Sequence, residues 1–227
     1  MTTFVLVPGA GGSGWYWHRV VAELRRRGHD AVAVDLPAAD ESAGLAAYAD
    51  AVVSAVGDRA PVVVVAHSMG GLTAPLVCGR VPVELLVLVN AMIPLPGETG
   101  GAWWSVTGQA GARVAHAERA GLTDDFEDMT AAFFHDVPDD VVAVAQAQPF
   151  TQSERPFADP WPLDRWPDVP TRVVAGREDR FFPADFQRRV AAERLGLAVD
   201  EIPGGHLVAL SRPVELTDRL EAYLGSR

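Results

Sequence analysis

The run Pro61-Val-Val-Val-Val-Ala66 passes directly into His67-Ser68-Met69-Gly70-Gly71, and this junction constrains the fold more than any other part of the chain. An unbroken apolar run with no polar residue at alternate positions is a strand buried on both faces. That is the condition of a parallel sheet covered by helices on each side. The stretch Leu72-Thr-Ala-Pro-Leu-Val-Cys78 then reads as a helix. The serine between them has small residues two before and two after it, so strand and helix can approach around a tight turn. Such a turn lifts Ser68 Oγ clear of the sheet and leaves the Met69 N–H aimed at its reaction partner. The usual form carries glycine on both sides. Here Ala66 fills the first place, the least crowding replacement for glycine. The plain alternative is a glycine-terminated strand with an incidental serine.

Strand-like runs recur along the chain at Thr3–Val7, Ala31–Val34, Val62–Ala66, Leu85–Val89, Thr171–Ala175 and Ala198–Ile202. Amphipathic segments alternate with them: Trp15–Arg27, Gly44–Val56, Met69–Arg80, Pro183–Leu195 and Pro213–Leu224. Pro183 and Pro213 sit where a first helical turn tolerates proline. The alternation predicts an α/β fold with a doubly wound, mostly parallel sheet of about six strands. It breaks between residues 93 and 166. That stretch carries Trp103, Trp104 and helices around Thr107–Ala120, Asp124–His135 and Pro138–Gln148, and reads as a helical cap insertion. The expected core is therefore 1–92 with 167–227, and the cap 93–166. A pair of extra structural helices is the bland reading of the same segment.

At 227 residues the chain suits one domain with an inserted lobe. Its net charge of -11 argues against nucleic acid and anionic membrane surfaces as partners. All 19 basic residues are arginines, which removes Schiff-base chemistry and a lysine-bearing phosphate loop. The single cysteine, Cys78, fits a reducing compartment and reads as a small buried hydrophobe. The sequence goes straight into a strand after Met1, without a leader or a long apolar run, so a soluble, cytoplasmic protein is expected. A metal is not expected, since metal-binding spacings are missing.

A serine hydroxyl needs a base to take its proton and an acid to orient that base. In sites built on this kind of turn the chain order is serine, acid, histidine. Asp179 and Glu178 follow the strand Thr171–Ala175, and Asp179 is preferred because it stands three after Gly176 and just before the next helix. His206 lies on the Gly204-Gly205 turn after the last strand and is the only one of six histidines both there and downstream of the acid. His18 and His29 read as surface residues, His67 as a packing or hydrogen-bonding residue, and His116 and His135 as cap residues. The glycine-rich loop Pro8–Gly14 can bring backbone close to a ligand, so the Ala10 N–H is expected to join the Met69 N–H in an oxyanion hole.

The strings Leu6-Val-Pro-Gly-Ala-Gly-Gly-Ser-Gly-Trp-Tyr-Trp17, Val34-Asp-Leu-Pro37, Ala66-His-Ser-Met-Gly-Gly71, Gly176-Arg-Glu-Asp179 and Gly204-Gly-His-Leu207 occur in one order over nearly the whole chain. In them the chain resembles the α/β-hydrolase superfamily, and within it the group of plant methylesterases, hydroxynitrile lyases and small bacterial esterases. The likeness extends to His135-Asp-Val-Pro-Asp-Asp140 in the insertion. Pro8 departs from the family's usual histidine, which touches a supporting hydrogen bond rather than the oxyanion donor. The resemblance implies ester hydrolysis through an acyl-enzyme without a cofactor. The lyases of the group carry threonine at the position of Ala10 and lysine at that of Leu207, and this chain has neither. Epoxide hydrolases and dehalogenases of the fold carry aspartate at the position of Ser68.

Two rival readings stand beside this one. Gly9, Gly11 and Gly14 after a strand, with Asp35 about twenty residues on, satisfy a Rossmann fingerprint and would make an NAD(P)-dependent oxidoreductase. Bulky Trp15-Tyr16-Trp17 at the start of the helix speaks against it. A non-hydrolytic lyase, cyclase or binding protein of the same fold is the other. The expected function is cleavage of a small carboxylic ester, or a lactone or thioester, with Ser68 as nucleophile, His206 as base and Asp179 as orienting acid. The expected partner is a small-molecule ester, with a homodimer open. Trp103, Trp104, Phe133, Phe134 and Trp161 are expected near the substrate pocket, each with a plain alternative as packing.

Overall fold

A computed structural model of the protein describes residues 1–123, 128 and 130–225. Among them, β1 (Thr3–Val7), β2 (Asp30–Ala33), β3 (Val62–His67), β4 (Val83–Val89), β5 (Thr171–Gly176) and β6 (Val199–Ile202) form one parallel sheet in the order β2-β1-β3-β4-β5-β6. The valine run is the reason it is covered twice. Val62, Val64 and Ala66 join a cluster on one face with Val5, Leu86 and Leu88, while Val63 and Val65 join Phe4, Leu6 and Val87 on the other. This is the period-two alternation of a strand with both of its sides apolar.

Helix α1 (His18–Arg26) packs on the second face through Val20 and Leu24. On the first face lie α2 (Leu45–Val56), through Tyr48 and Val52, and α3 (Gly70–Val77), through Leu72 and Leu76. Between β4 and β5 run α4 (Gly100–Thr107), α5 (Gln109–Ala120), a π-helical turn (Thr130–Phe134), α6 (Asp139–Gln146) and α7 (Arg155–Ala158). The helix expected around Thr107–Ala120 is α5, and α4 precedes it as a further helix, which Gly108 at φ 67° ends in the left-handed region. The helix expected around Asp124–His135 is a π turn at its end, and residues 124–127 and 129 lie outside the described residues. Helix α8 (Ala184–Leu195) returns to the first face, and α9 (Val208–Ser211) and α10 (Pro213–Leu224) to the second.

The chain steps from β1 to one side for β2 and to the other for β3. The carboxyl ends of β1 and β3 therefore form the switch point where a doubly wound sheet opens a crevice. Ser68 and the glycine loop after β1 both sit there. Among the described residues no helix is long and apolar enough to cross a membrane.

Gly71 in the first turn of α3 makes the close approach that holds this crevice together, since a Cβ there would lie 2.0 Å from the Met92 carbonyl oxygen. Backbone cannot rotate away as a side chain can. Gly71→Ala should cost about 1–3 kcal/mol by overpacking. Gly111→Ala inside α5, where a Cβ meets open space, should gain about 0.5 kcal/mol from helix propensity. Urea denaturation of the two variants beside the parent checks both signs.

Candidate active site

Ser68 follows β3 immediately and adopts φ 51°, the left-handed region, which costs a residue with a side chain about 1–2 kcal/mol. Three backbone hydrogen bonds impose it. Ser68 N–H donates to Val89 O at 3.2 Å, and Ser68 O accepts from Gly71 N–H at 3.1 Å and Met92 N–H at 2.9 Å. The loop after β1 presses against the turn: a Cβ on Gly9 would lie 2.9 Å from Ser68 Cβ, and one on Gly70 2.6 Å from Pro8 O.

That loop is itself tied at several points. Gly12 N–H donates to Gly9 O at 3.1 Å and Gly11 N–H to Gln152 Oε1 at 3.0 Å. Gly14 N–H donates to Asp35 Oδ1 at 2.7 Å, so the carboxylate that completes a dinucleotide fingerprint in the sequence is spent on its own loop. Among the described residues the N–H groups of Ala10 and Met69 have no acceptor.

The strand ends bring the serine, the histidine and the aspartate together. His206 Nε2 lies 3.1 Å from Ser68 Oγ, and His206 Nδ1 lies 2.8 Å from Asp179 Oδ2. Asp179 is fully buried, and its Oδ1 accepts from the N–H groups of Phe181 and Phe182, each at 2.8 Å. Glu178, the other candidate acid, is exposed and accepts from Gly204 N–H with its Oε2. The rings of Phe133, Phe181 and Phe182 surround the imidazole at 5.5, 5.0 and 5.1 Å between centroids, all steeply inclined to it. An alcohol, an imidazole and a buried carboxylate joined in this order can move a proton off the alcohol and stabilise the imidazolium that results.

The backbone under His206 is held by Asn90, with Gln187 behind it, which the sequence did not single out, and by His67, expected as a packing or hydrogen-bonding residue. Asn90, fully buried at the end of β4 and at φ 46°, donates through Nδ2 to Gly205 O at 3.1 Å and to His206 O at 2.9 Å. Its Oδ1 accepts from Gly176 N–H at 2.8 Å and from Gln187 Nε2 at 3.1 Å. Gln187 Nε2 also stands 3.4 Å from Asp179 Oδ2. The one available signal was an amide ending an otherwise apolar strand. His67 donates through Nε2 to His206 O at 2.9 Å and stacks on Tyr16 at 4.3 Å. Burial, and then the neighbouring His206, hold the His67 imidazole well below its ordinary range, so it is a neutral donor.

The five aromatics expected near the pocket divide. Phe133 lies beside His206, and Trp104 beside Phe181 and Phe182 at 5.6 and 5.9 Å. Trp103 and Trp161 do not offer a surface there. Both are buried, with Trp103 Nε1 donating to Ile93 O and Trp161 Nε1 to Leu72 O. A large ring whose N–H finds a backbone partner in the core is an anchor of packing. Phe134 packs with the cluster on the opposite face of the sheet from Phe133.

A family model described as alpha/beta hydrolase family matches residues 4–219. The chain belongs to that family. Probable esterase PIR7A of Oryza sativa subsp. indica is 40% identical over 107 residues, which are 42% of this chain and 41% of the relative. The chain thus matches less than half the length of that relative. Esterase PIR7B of Oryza sativa subsp. japonica is 29% identical over 96% of this chain and 93% of its own. Among solved structures, the crystal structure of polyneuridine aldehyde esterase has a TM-score of 0.78 at 22% identity and covers 99% of both chains, which shows the shared fold.

His67 gives a pH-dependent stability with a definite sign. Its folded-state pKa lies below the unfolded value of about 6.5, so its contribution is complete above that value and is lost as pH falls toward the folded pKa. Over that window one extra proton binds the unfolded chain, a slope of about 1.4 kcal/mol per pH unit. His67→Gln, which keeps a donor but cannot titrate, should flatten the slope of unfolding free energy below pH 6.5 by about one proton. Denaturant titrations at several pH values measure it, and an unchanged slope would contradict a neutral buried imidazole.

Proposed function

We propose that this alpha/beta hydrolase is a serine hydrolase that cleaves small carboxylic esters through an acyl-enzyme. The observation that carries the reading is the relay of 3.1 and 2.8 Å from Ser68 Oγ through His206 to buried Asp179. Ser68 Oγ attacks the ester carbonyl as His206 Nε2 takes its proton. Asp179 keeps the Nδ1 proton of His206 in place and balances the imidazolium charge. The alkoxide that forms on the carbonyl oxygen is met by the N–H groups of Ala10 and Met69, each such donor being worth about 3 kcal/mol in comparable sites. His206 then protonates the leaving alcohol, and a water activated by the same imidazole releases the acid.

The segment 93–166 acts as a cap in this reading. Phe133 from it covers His206, Gln152 holds the glycine loop, and Thr99 pairs with Pro160 to close its two ends on each other. Esters are favoured over dinucleotides because Asp35 is engaged by Gly14 and the glycine loop packs on Ser68. The names of the rice esterases support the same class of substrate.

p-Nitrophenyl butyrate should be turned over by the parent protein. Ser68→Ala should lower kcat by about 10⁴- to 10⁶-fold, and Asp179→Asn by about 10⁴-fold. Glu178→Gln should stay within about threefold, since the amide keeps an oxygen that can accept from Gly204 N–H. A fluorophosphonate probe followed by peptide mapping should label residue 68. Turnover in Ser68→Ala equal to that of the parent would remove the serine from the reaction.

A further inference from the structure

The dipeptide His135-Asp136 of the insertion is not used by the chemistry above, yet it sits directly on the turn that carries the base. Asp136 Oδ2 accepts from Gly205 N–H at 2.8 Å. A Cβ on Gly205 would lie 2.7 Å from His135 Nε2 and 2.8 Å from Asp136 Oδ1, so glycine at 205 is what lets the dipeptide approach. Both of those atoms are buried and, among the described residues, have no hydrogen-bond partner. Leaving buried polar atoms without a protein partner is unfavourable, and sequences keep such conflicts mainly at functional places.

The other holds on this turn come from the core. Gly204 N–H goes to Glu178, Gly205 O and His206 O to Asn90, and His206 O also to His67. Among the described residues, the hydrogen bond to Asp136 is the one hold on the backbone of this turn that comes from the segment between β4 and β5. The placement of the imidazole is thereby coupled to the placement of the cap.

We infer that Asp136 is a positioning residue: by taking the Gly205 N–H it fastens the base-bearing turn to the segment between β4 and β5 and so holds His206 Nε2 toward Ser68 Oγ. The assignment rests on the serine-hydrolase reading. It concerns the rate of the proton-transfer step and not the fit of the substrate, because Asp136 reaches the backbone before His206 and not the alcohol or the ester.

The test compares Asp136→Ala and Asp136→Ser, whose side chains cannot reach the amide, with Asp136→Asn, which retains an acceptor oxygen. With p-nitrophenyl butyrate, the Ala and Ser variants should lose about 10- to 100-fold in kcat, the scale of a misplaced catalytic group. KM should stay within about threefold, and Asp136→Asn should recover most of the lost kcat. Hydrogen exchange at the Gly205 amide should quicken in the Ala and Ser variants and not in Asp136→Asn. The serine variant carries the comparison if the alanine variant fails to fold. Parental kcat in Asp136→Ser, a rise in KM at constant kcat, or unchanged exchange at Gly205 would each overturn the assignment. A parent protein whose turnover is absent, or is unaltered by Ser68→Ala, would instead remove the hydrolase reading and this role with it.

Discussion

The turn that carries His206 has no regular secondary structure to support it, and the candidate site depends on how its backbone groups are satisfied. The peptide groups around Gly205 and His206 are met by side chains from three separated parts of the chain: His67 beside the serine, Asn90 at the end of β4 and Asp136 in the insertion. Buried backbone groups are costly when unpaired, so each of these side chains also narrows the positions the turn can occupy. The imidazole then has little freedom left, and its two nitrogens fall between the alcohol and the carboxylate. Precision at the ring is in part a consequence of hydrogen bonds made along the backbone that carries it.

The same economy of space operates at the serine. Its positive φ is unfavourable in isolation and persists because the bonds to Val89, Gly71 and Met92 leave no relaxed alternative. Asn90, at the end of the neighbouring strand, is also left-handed and is followed by the chain that returns to bond with the Ser68 carbonyl. Two strained residues on adjacent strands thus turn both chain ends away from the sheet at one level. The crevice at the β1–β3 switch point is the space this leaves.

Much of the architecture was legible because apolar runs of four to six residues admit few other readings. Each of the six strands lies within about two residues of where its run of Val, Leu and Ile predicts it, the usual scatter of element ends. The relay residues were legible for a different reason: each is a polar residue placed just beyond a strand, where a doubly wound sheet collects its loops. Asn90 has the same position but escaped notice because an amide has no reactive chemistry of its own. Gln187 lies inside α8, and nothing in a helical pattern marks an inward polar residue that bonds to Asn90, 97 positions away, as well as to nearby Phe182 and Asp179. The aromatic residues were least legible. Trp103, Trp104, Phe133 and Phe134 are pairs of neighbours whose rings must point in different directions, and only the packed structure says that Phe133 turns toward His206 and Trp104 toward Phe181.

The alanine at position 66 follows from where the close approaches fall. In this chain the backbone of β1 and its loop meets the turn at Gly9 and Gly70, and the segment after β4 meets it at Gly71; a Cβ at these three positions would lie 2.0 to 2.9 Å from its nearest neighbour. Ala66 faces the apolar cluster on the side of α2 and α3, and its methyl is fully buried among Val64, Leu88 and their neighbours. Glycine there would leave a methyl-sized gap and a looser strand. The requirement for small residues around Ser68 is therefore a requirement of contact and not of pattern. It is strict at Gly70 and Gly71, where backbone meets backbone, and is relaxed two residues before the serine, where the neighbours are side chains able to pack around a methyl group.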